Sequence, residues 1–261
     1  MSISNKKIPT LYITLLAGMI PMIPFINSFQ NLHLFMPNEY KVLKVIVDKL
    51  ATSNDLGDYP ITFSINAGSR IYWSAKHLGL CEKESYCGYF RQINPFKEYK
   101  GKSSKEINEA IRQSYLLSGI EAYAWSHGLI EISRSTFRLY KGKDNFLACI
   151  VGHELSHFMN HDSFYSALQE GREGKHLKSK KREILAKKIS REKESQADIN
   201  AAKMLINAGI SKETCLQNLA FWARMEGHGH ETKKDSTHPG YDDRYKSLKK
   251  FLKKYEKTPN K

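Results

Sequence analysis

Cysteine is scarce. The 261 residues hold four, too few for a disulfide-stapled mini-protein. Glycine and proline are also sparse, 16 and 8, which excludes collagen-like and low-complexity chains. No internal repeat is visible. Acidic side chains are in deficit, Asp+Glu 27 against Lys+Arg 41, for a net charge of +14. That balance favours anionic partners, whether nucleic acid, acidic lipid headgroups or acidic proteins, without choosing among them. What remains is 41% hydrophobic, 26% charged and 11% aromatic, enough to build a core and unlike a disordered chain.

Charge is absent from Ile8 to Ile26, after two lysines at Lys6 and Lys7. A basic start followed by an apolar run has the form of a secretory signal, and is about long enough to span a bilayer if it is not removed. Pro21 and Pro24 would break a buried N-terminal helix. No basic residue follows until Lys41, so the positive-inside rule keeps the N-terminus in the cytoplasm and exports the rest. Residues 1–28 are therefore expected to be a signal peptide or membrane anchor, and the chain to be periplasmic or membrane-attached. In that compartment Cys81 and Cys87 can close a short loop, whereas Cys149 and Cys215 fall in apolar helical patterns and read as small buried hydrophobes.

Periodicity supplies the elements. Asn38–Ala51 predicts an amphipathic helix capped by Asn38, with Val42, Leu43, Ile46 and Leu50 on one face. Tyr59–Ile65 alternates as a strand, Ser103 and Glu106 form a capping box for a helix to Leu117, and Ala122–Ile132 reads as a strand or strand pair around Gly128. Asp144–His161 predicts a helix apolar on nearly every side, hence central. A polar, basic stretch from Gly171 to Lys193 merges into a helix that Gly209 ends. Ser211 opens another helix to about Met225. The loop Gly227–His238 follows, then a last helix from Pro239 to Tyr255.

The polar residues of the central helix carry the chemistry: His153-Glu154-Leu155-Ser156-His157. Residues four apart share one helix face, so both imidazoles reach a single ion. Zinc takes neutral imidazole in tetrahedral geometry, and Glu154 stands beside that face, placed to take a proton from water. Two core histidines bonded to carbonyls are the bland alternative, but burying two rings and a carboxylate without an ion is costly. Asn160 and Ser163 occupy the positions at which a third histidine would complete an extended motif. Glu194 and Asp198, again four apart, supply the missing carboxylates: one to bind metal, one to hold a ligand imidazole in its tautomer. His161 continues the histidine stripe one turn too far along the axis for ligation. His228 and His230 read as parts of a solvated loop.

His153-Glu-Leu-Ser-His157 with Asn160-His161-Asp162, then Glu194-x-x-x-Asp198, then Thr237-His238-Pro239 and Arg244, resembles the HtpX/BepA/Oma-type zinc metallopeptidases. These make up family forty-eight of the metallopeptidases, which includes the CAAX-processing membrane protease. The resemblance runs from about Tyr59 to Tyr255. It implies an α+β, mostly helical, zincin-like (gluzincin) domain over 59–256, after an N-terminal helix and linker over 29–58 and before a tail over 257–261. It implies one zinc ion per subunit on His153, His157 and Glu194, with water in the fourth position and Glu154 as general base. Asp198 would back the ligands, His238 would latch the metal or donate to the oxyanion, and Arg244 would orient the site. Ala122, Tyr123 and Ala124 are similar to the edge strand on which that family lays its substrate, bordering the cleft. The family usually carries Asn at the position of Glu121 and a Pro-Gly-Gly-like turn where Ser126-His127-Gly128 stands, so the strand's shape is open. Phe158–Lys193 is charged where several members place transmembrane helices, which points to the exported or one-anchor branch.

The implied activity is a metalloendopeptidase hydrolysing protein or peptide substrates in envelope or membrane protein quality control. A chaperone-like envelope binding factor with a latched or structural zinc site is the alternative. An anionic membrane surface is the electrostatic partner if the N-terminus stays in the bilayer. Nucleic acid is not expected, since Arg172–Lys193 and Lys246–Lys261 read as solvated helix faces.

Overall fold

The computed structural model describes residues 37–66, 103, 105, 119–226 and 229–255. Contacts divide the chain at Lys41, and everything described from Val42 onward belongs to one compact unit. Helix α1 runs Asn38–Ser53, with Leu43, Ile46 and Leu50 buried at the helical spacing expected of them. Strands β1 (Thr62–Asn66), β2 (Ala122–Ala124) and β3 (Leu129–Ser133) follow, then helices α2 (Arg134–Leu139), α3 (Asp144–Met159), α4 (Asp162–Gly174), α5 (Ser179–Asn207), α6 (Thr214–Glu226) and α7 (Tyr241–Tyr255). The described part is mostly helical with one small sheet.

That sheet has the order β1-β3-β2, with β3 parallel to β1 and antiparallel to β2. The expected strand pair around Gly128 is the β2–β3 hairpin. Gly128 turns it at φ +89°, where a Cβ would also meet the Pro60 carbonyl oxygen at 2.5 Å, so only glycine fits. β2 therefore lies at an edge. Its register is fixed from below by two buried hydroxyls. Thr136 Oγ1 accepts from Glu121 N (3.0 Å), and Ser133 Oγ donates to the Gly119 carbonyl (2.8 Å).

Helix α3 is the central element, with Leu147, Ile150, Val151, Leu155 and Phe158 all buried. It packs chiefly on α5, and Gly152 sets the approach: a Cβ there would stand 3.3 Å from Ala201 Cα and 3.4 Å from its Cβ. This close contact brings the α5 carboxylates beside His153. α5 has 29 residues, about 43 Å of helix at 1.5 Å per residue. Its burial begins only at Ile189 and continues through Ala197, Ala201, Ala202 and Leu205. At its end Ile210 N bonds the Leu205 carbonyl and Gly209, at φ +70°, bonds Ile206, the six-to-one and five-to-two pattern that glycine terminates.

Several expectations change. The basic stretch is two helices, α4 and the start of α5, parted at 175–178. α4 buries only Asp162 and Gly174, and its apolar residues Phe164, Tyr165 and Leu168 stand exposed. The six-residue α2 was not anticipated. Cys149 and Cys215 are not separate hydrophobes: they form a disulfide that ties α3 to α6, because the packing of those helices brings two distant small side chains together. The expected helix over Ser103–Leu117, the Cys81–Cys87 pair and residues 1–28 fall largely or wholly outside the described residues.

Candidate metal centre

His153 and His157 project from one face of α3, and α5 delivers Glu194 to the same point. His153 Nε2 lies 3.1 Å from His157 Nε2 and 3.1 Å from Glu194 Oε2, while His157 Nε2 is 3.4 Å from Glu194 Oε1. Ligands about 2.0–2.1 Å from a shared tetrahedral zinc ion stand about 3.3–3.4 Å from one another. The three donors thus outline one face of such a tetrahedron, and two imidazoles with one carboxylate are the donor chemistry zinc prefers. The residues fit the ion.

Each imidazole is held from behind. His153 Nδ1 donates to Asp198 Oδ1 (3.0 Å), and Asp198 is gripped by Arg244 through Nε (2.8 Å) and Nη2 (2.6 Å). His157 Nδ1 donates to Asp162 Oδ2 (2.9 Å), and Lys193 Nζ stands 3.1 Å from the other Asp162 oxygen. Among the described residues neither ring bonds a carbonyl, and both Nδ1 donations turn the Nε2 lone pairs toward the shared point. Sequence reasoning assigned no role to Asp162 or Lys193. A signal existed in Asp162, five residues past His157, but an unbroken helix would have put His161 on that face. Instead His161 adopts a left-handed backbone, φ 50°, which ends α3. Its ring is exposed, 5.5 Å from the Tyr59 ring centroid.

Electrostatics follow this wiring. Burial alone lowers the His153 pKa, but hydrogen bonds to Asp198 and Glu194 overcome it and push it up to about 10. Burial likewise opposes His157, and its bonds to Asp162 and Glu194 carry it to about 9. Burial raises Glu194 and Asp198, yet the bonds from His153 and His157, and from Arg244 with His153, hold both well below the usual carboxylate range. Glu154, buried beside the ligands, is raised, burial being the largest cause. These directions favour charged imidazoles against charged carboxylates in the metal-free site.

These residues border a cleft of about 600 Å³, lined by Glu154, His153 and Glu194 on one side and by Glu121, Ala122 and Tyr123 on another. Ser133 N donates to the Glu121 carbonyl and Trp125 N to the Leu129 carbonyl. The ladder bonds therefore fall on alternate residues, leaving the N–H and C=O of Ala122 and Ala124 facing away from β3. His238 enters from the loop before α7, with Nε2 3.4 Å from Glu194 Oε1 and its side chain 60% exposed. Arg191, three residues before Glu194, holds that loop by donating Nη1 to the Ser236 carbonyl (2.6 Å) and the Lys234 carbonyl (3.3 Å), a contact the sequence did not announce. His230 lies apart, bonded at 3.1 Å to Asp242 on the surface.

Residues 100–177 match the model of peptidase family M48. The matched stretch holds β2, β3, α2, α3 and α4, and it bears out the family resemblance carried by the sequence motifs. Glu194, Asp198, His238 and Arg244 lie beyond it, and their assembly rests on the geometry above. No curated protein and no solved structure matches the chain.

Proposed function

We propose that the protein is a zinc-dependent endopeptidase whose metal is held by His153, His157 and Glu194. The observation that carries this reading is the convergence of those three donors, 3.1–3.4 Å apart, on a cleft that an edge strand borders. Zinc, when bound, supplies a Lewis acid that polarises the scissile carbonyl and readies water for attack at neutral pH. Everything else is done by the chain. Ala122 and Ala124 pair with an extended peptide and fix its register, as β-strand addition requires. Asp198 and Asp162 keep both imidazoles in one tautomer. Glu154, buried at the cleft wall, takes a proton from the attacking water and passes it to the leaving amine. His238, beside Glu194 in the cleft, donates to the developing oxyanion. Arg244 holds Asp198 and so acts through it.

The reading extends to proteins of the cell envelope in an exported compartment. The Cys149–Cys215 bond supports this, since such bonds persist under oxidising conditions, as does the basic-then-apolar start of the sequence. A chaperone-like binding factor is the second reading, favoured by His238 standing 3.4 Å from Glu194, where it latches the site. One experiment separates them: zinc stoichiometry and cleavage of an unfolded protein, for the native chain and for Glu154→Gln. The expected outcome is one zinc per chain in both and cleavage in the native chain alone. Zinc bound by both with cleavage by neither would leave the binding factor.

A further inference from the structure

A second cavity, about 260 Å³, opens where β2 ends and α4 begins. Trp125, Phe158, His161, Phe164 and Tyr165 line it, and it shares Ala124 with the strand edge and His157 with the metal cluster. Three of these aromatics are exposed: Trp125 by 48%, Phe164 by 63% and Tyr165 by 48%. Single exposed apolar residues are ordinary, whereas several gathered around a concavity mark a binding surface. Their placement is also tied to the metal site. The left-handed turn at His161 starts a new helix, and Asp162 pins its first turn to His157 at 2.9 Å. Phe164 and Tyr165 are therefore held at a set position from a metal ligand.

We infer that this cavity is a specificity subsite, receiving one bulky apolar or aromatic side chain of a peptide laid along β2, at a residue on the Trp125 side of the bond to be cut. The inference rests on β2 being the substrate edge, as proposed above. Size selects the occupant. Sites for whole small molecules run about 300–1,000 Å³, and a cavity below that range suits a single side chain. Position agrees: an extended peptide advances about 3.3–3.4 Å per residue, so a residue one or two places from the metal cluster reaches the Ala124–Trp125 end of the strand. Chemistry agrees as well. The pocket rings already meet edge to face, Phe164 with Tyr165 at 5.3 Å and 75°, Phe158 with His161 at 6.4 Å and 69°, a geometry that an incoming ring extends. Asp162, the carboxylate in the lining, is already paired with His157 and Lys193, so it does not repel an apolar guest.

The test is cleavage of a randomised peptide mixture by the zinc-loaded full chain, with the residues flanking each cut read by mass spectrometry. Aromatic and large aliphatic residues are expected to be enriched at one position on one side of the cut. Paired peptides differing only in Phe or Ala there should differ about tenfold or more in kcat/KM. In Phe164→Ala/Tyr165→Ala, and in Ser163→Trp, which fills the mouth, that ratio is expected to fall toward one. Flat profiles, or enrichment that both variants leave intact, would overturn the subsite. Peptide binding to zinc-loaded Glu154→Gln supplies a second readout. If the native chain cuts nothing, a preserved Phe-over-Ala binding preference that the pocket variants abolish retains the pocket and removes the enzyme. Absence of that preference removes both.

Discussion

His153 and His157 are secured by the same device built at two different ranges. Behind each ring stands a carboxylate, and behind each carboxylate a cation. For His153 the parts come from three helices: Asp198 lies on α5 and Arg244 on α7, and the guanidinium meets the carboxylate with two bonds, at 2.8 and 2.6 Å. For His157 the carboxylate is five residues away, and its cation is a lysine at 3.1 Å whose side chain is 28% exposed. A bidentate, buried guanidinium is directional, and an ammonium at the edge of solvent is a screened point charge. The first device therefore reports whether the helices have assembled. In the second, ring and carboxylate meet once the α3–α4 turn has formed, and only the lysine comes from α5.

The two carboxylates differ most in what their loss costs, and Asp198 costs more. Asp198→Asn should weaken zinc binding toward the upper end of the about 10–100-fold range for such partners, and strand Arg244 in the interior at a cost of about 3–5 kcal/mol. Competition against a chromophoric chelator and urea unfolding check the two effects, and a loss of affinity below tenfold would count against the distinction. Asp162→Asn is expected to lower affinity by about tenfold with a smaller change in unfolding midpoint, because Lys193 can turn to water. Equal damage from the two variants would erase the contrast.

Proton linkage reads both rings at once. In the metal-free protein both ring pKa values are raised, to about 10 and about 9, and ligation needs both rings neutral. Zinc uptake at pH 7 should then release about two protons and tighten about a hundredfold per pH unit until the lower of these values is reached. Calorimetry in buffers of different ionisation enthalpy measures that number, and release of fewer than one proton would refute the wiring. The sign for stability is the reverse. A raised histidine pKa stabilises the metal-free fold fully below about pH 6.5, and that contribution is lost as the pH climbs through 9 and 10. The smallest effect is expected on the outer part of α5, where Lys188→Ala should change stability by no more than about 0.5 kcal/mol.

Much of the centre was legible because α3 is apolar on almost every side, which makes His153, Glu154 and His157 conspicuous. Glu194 and Asp198 share a face with Ala197, Ala201 and Ala202, small residues that signal a partner helix close by. Asp162 was hidden by backbone rather than by composition. Nothing local marks a left-handed histidine, and the regular stripe points one residue too early. The Cys149–Cys215 bond and the Arg191 contacts were hidden for another reason: they join segments 66 and more than 40 residues apart, and apolar or basic surroundings describe each partner without naming the other. β2 was readable as extended chain from its residues and as an edge strand from the family resemblance, an edge that β1 secures by pairing with the other side of β3.

Arg191 carries a consequence for communication across the site. A single turn of α5 bears both Glu194, a ligand in the proposed zinc site, and the grip on the segment that delivers His238. Whatever coupling that turn transmits between ion and segment acts by the same factor in each direction.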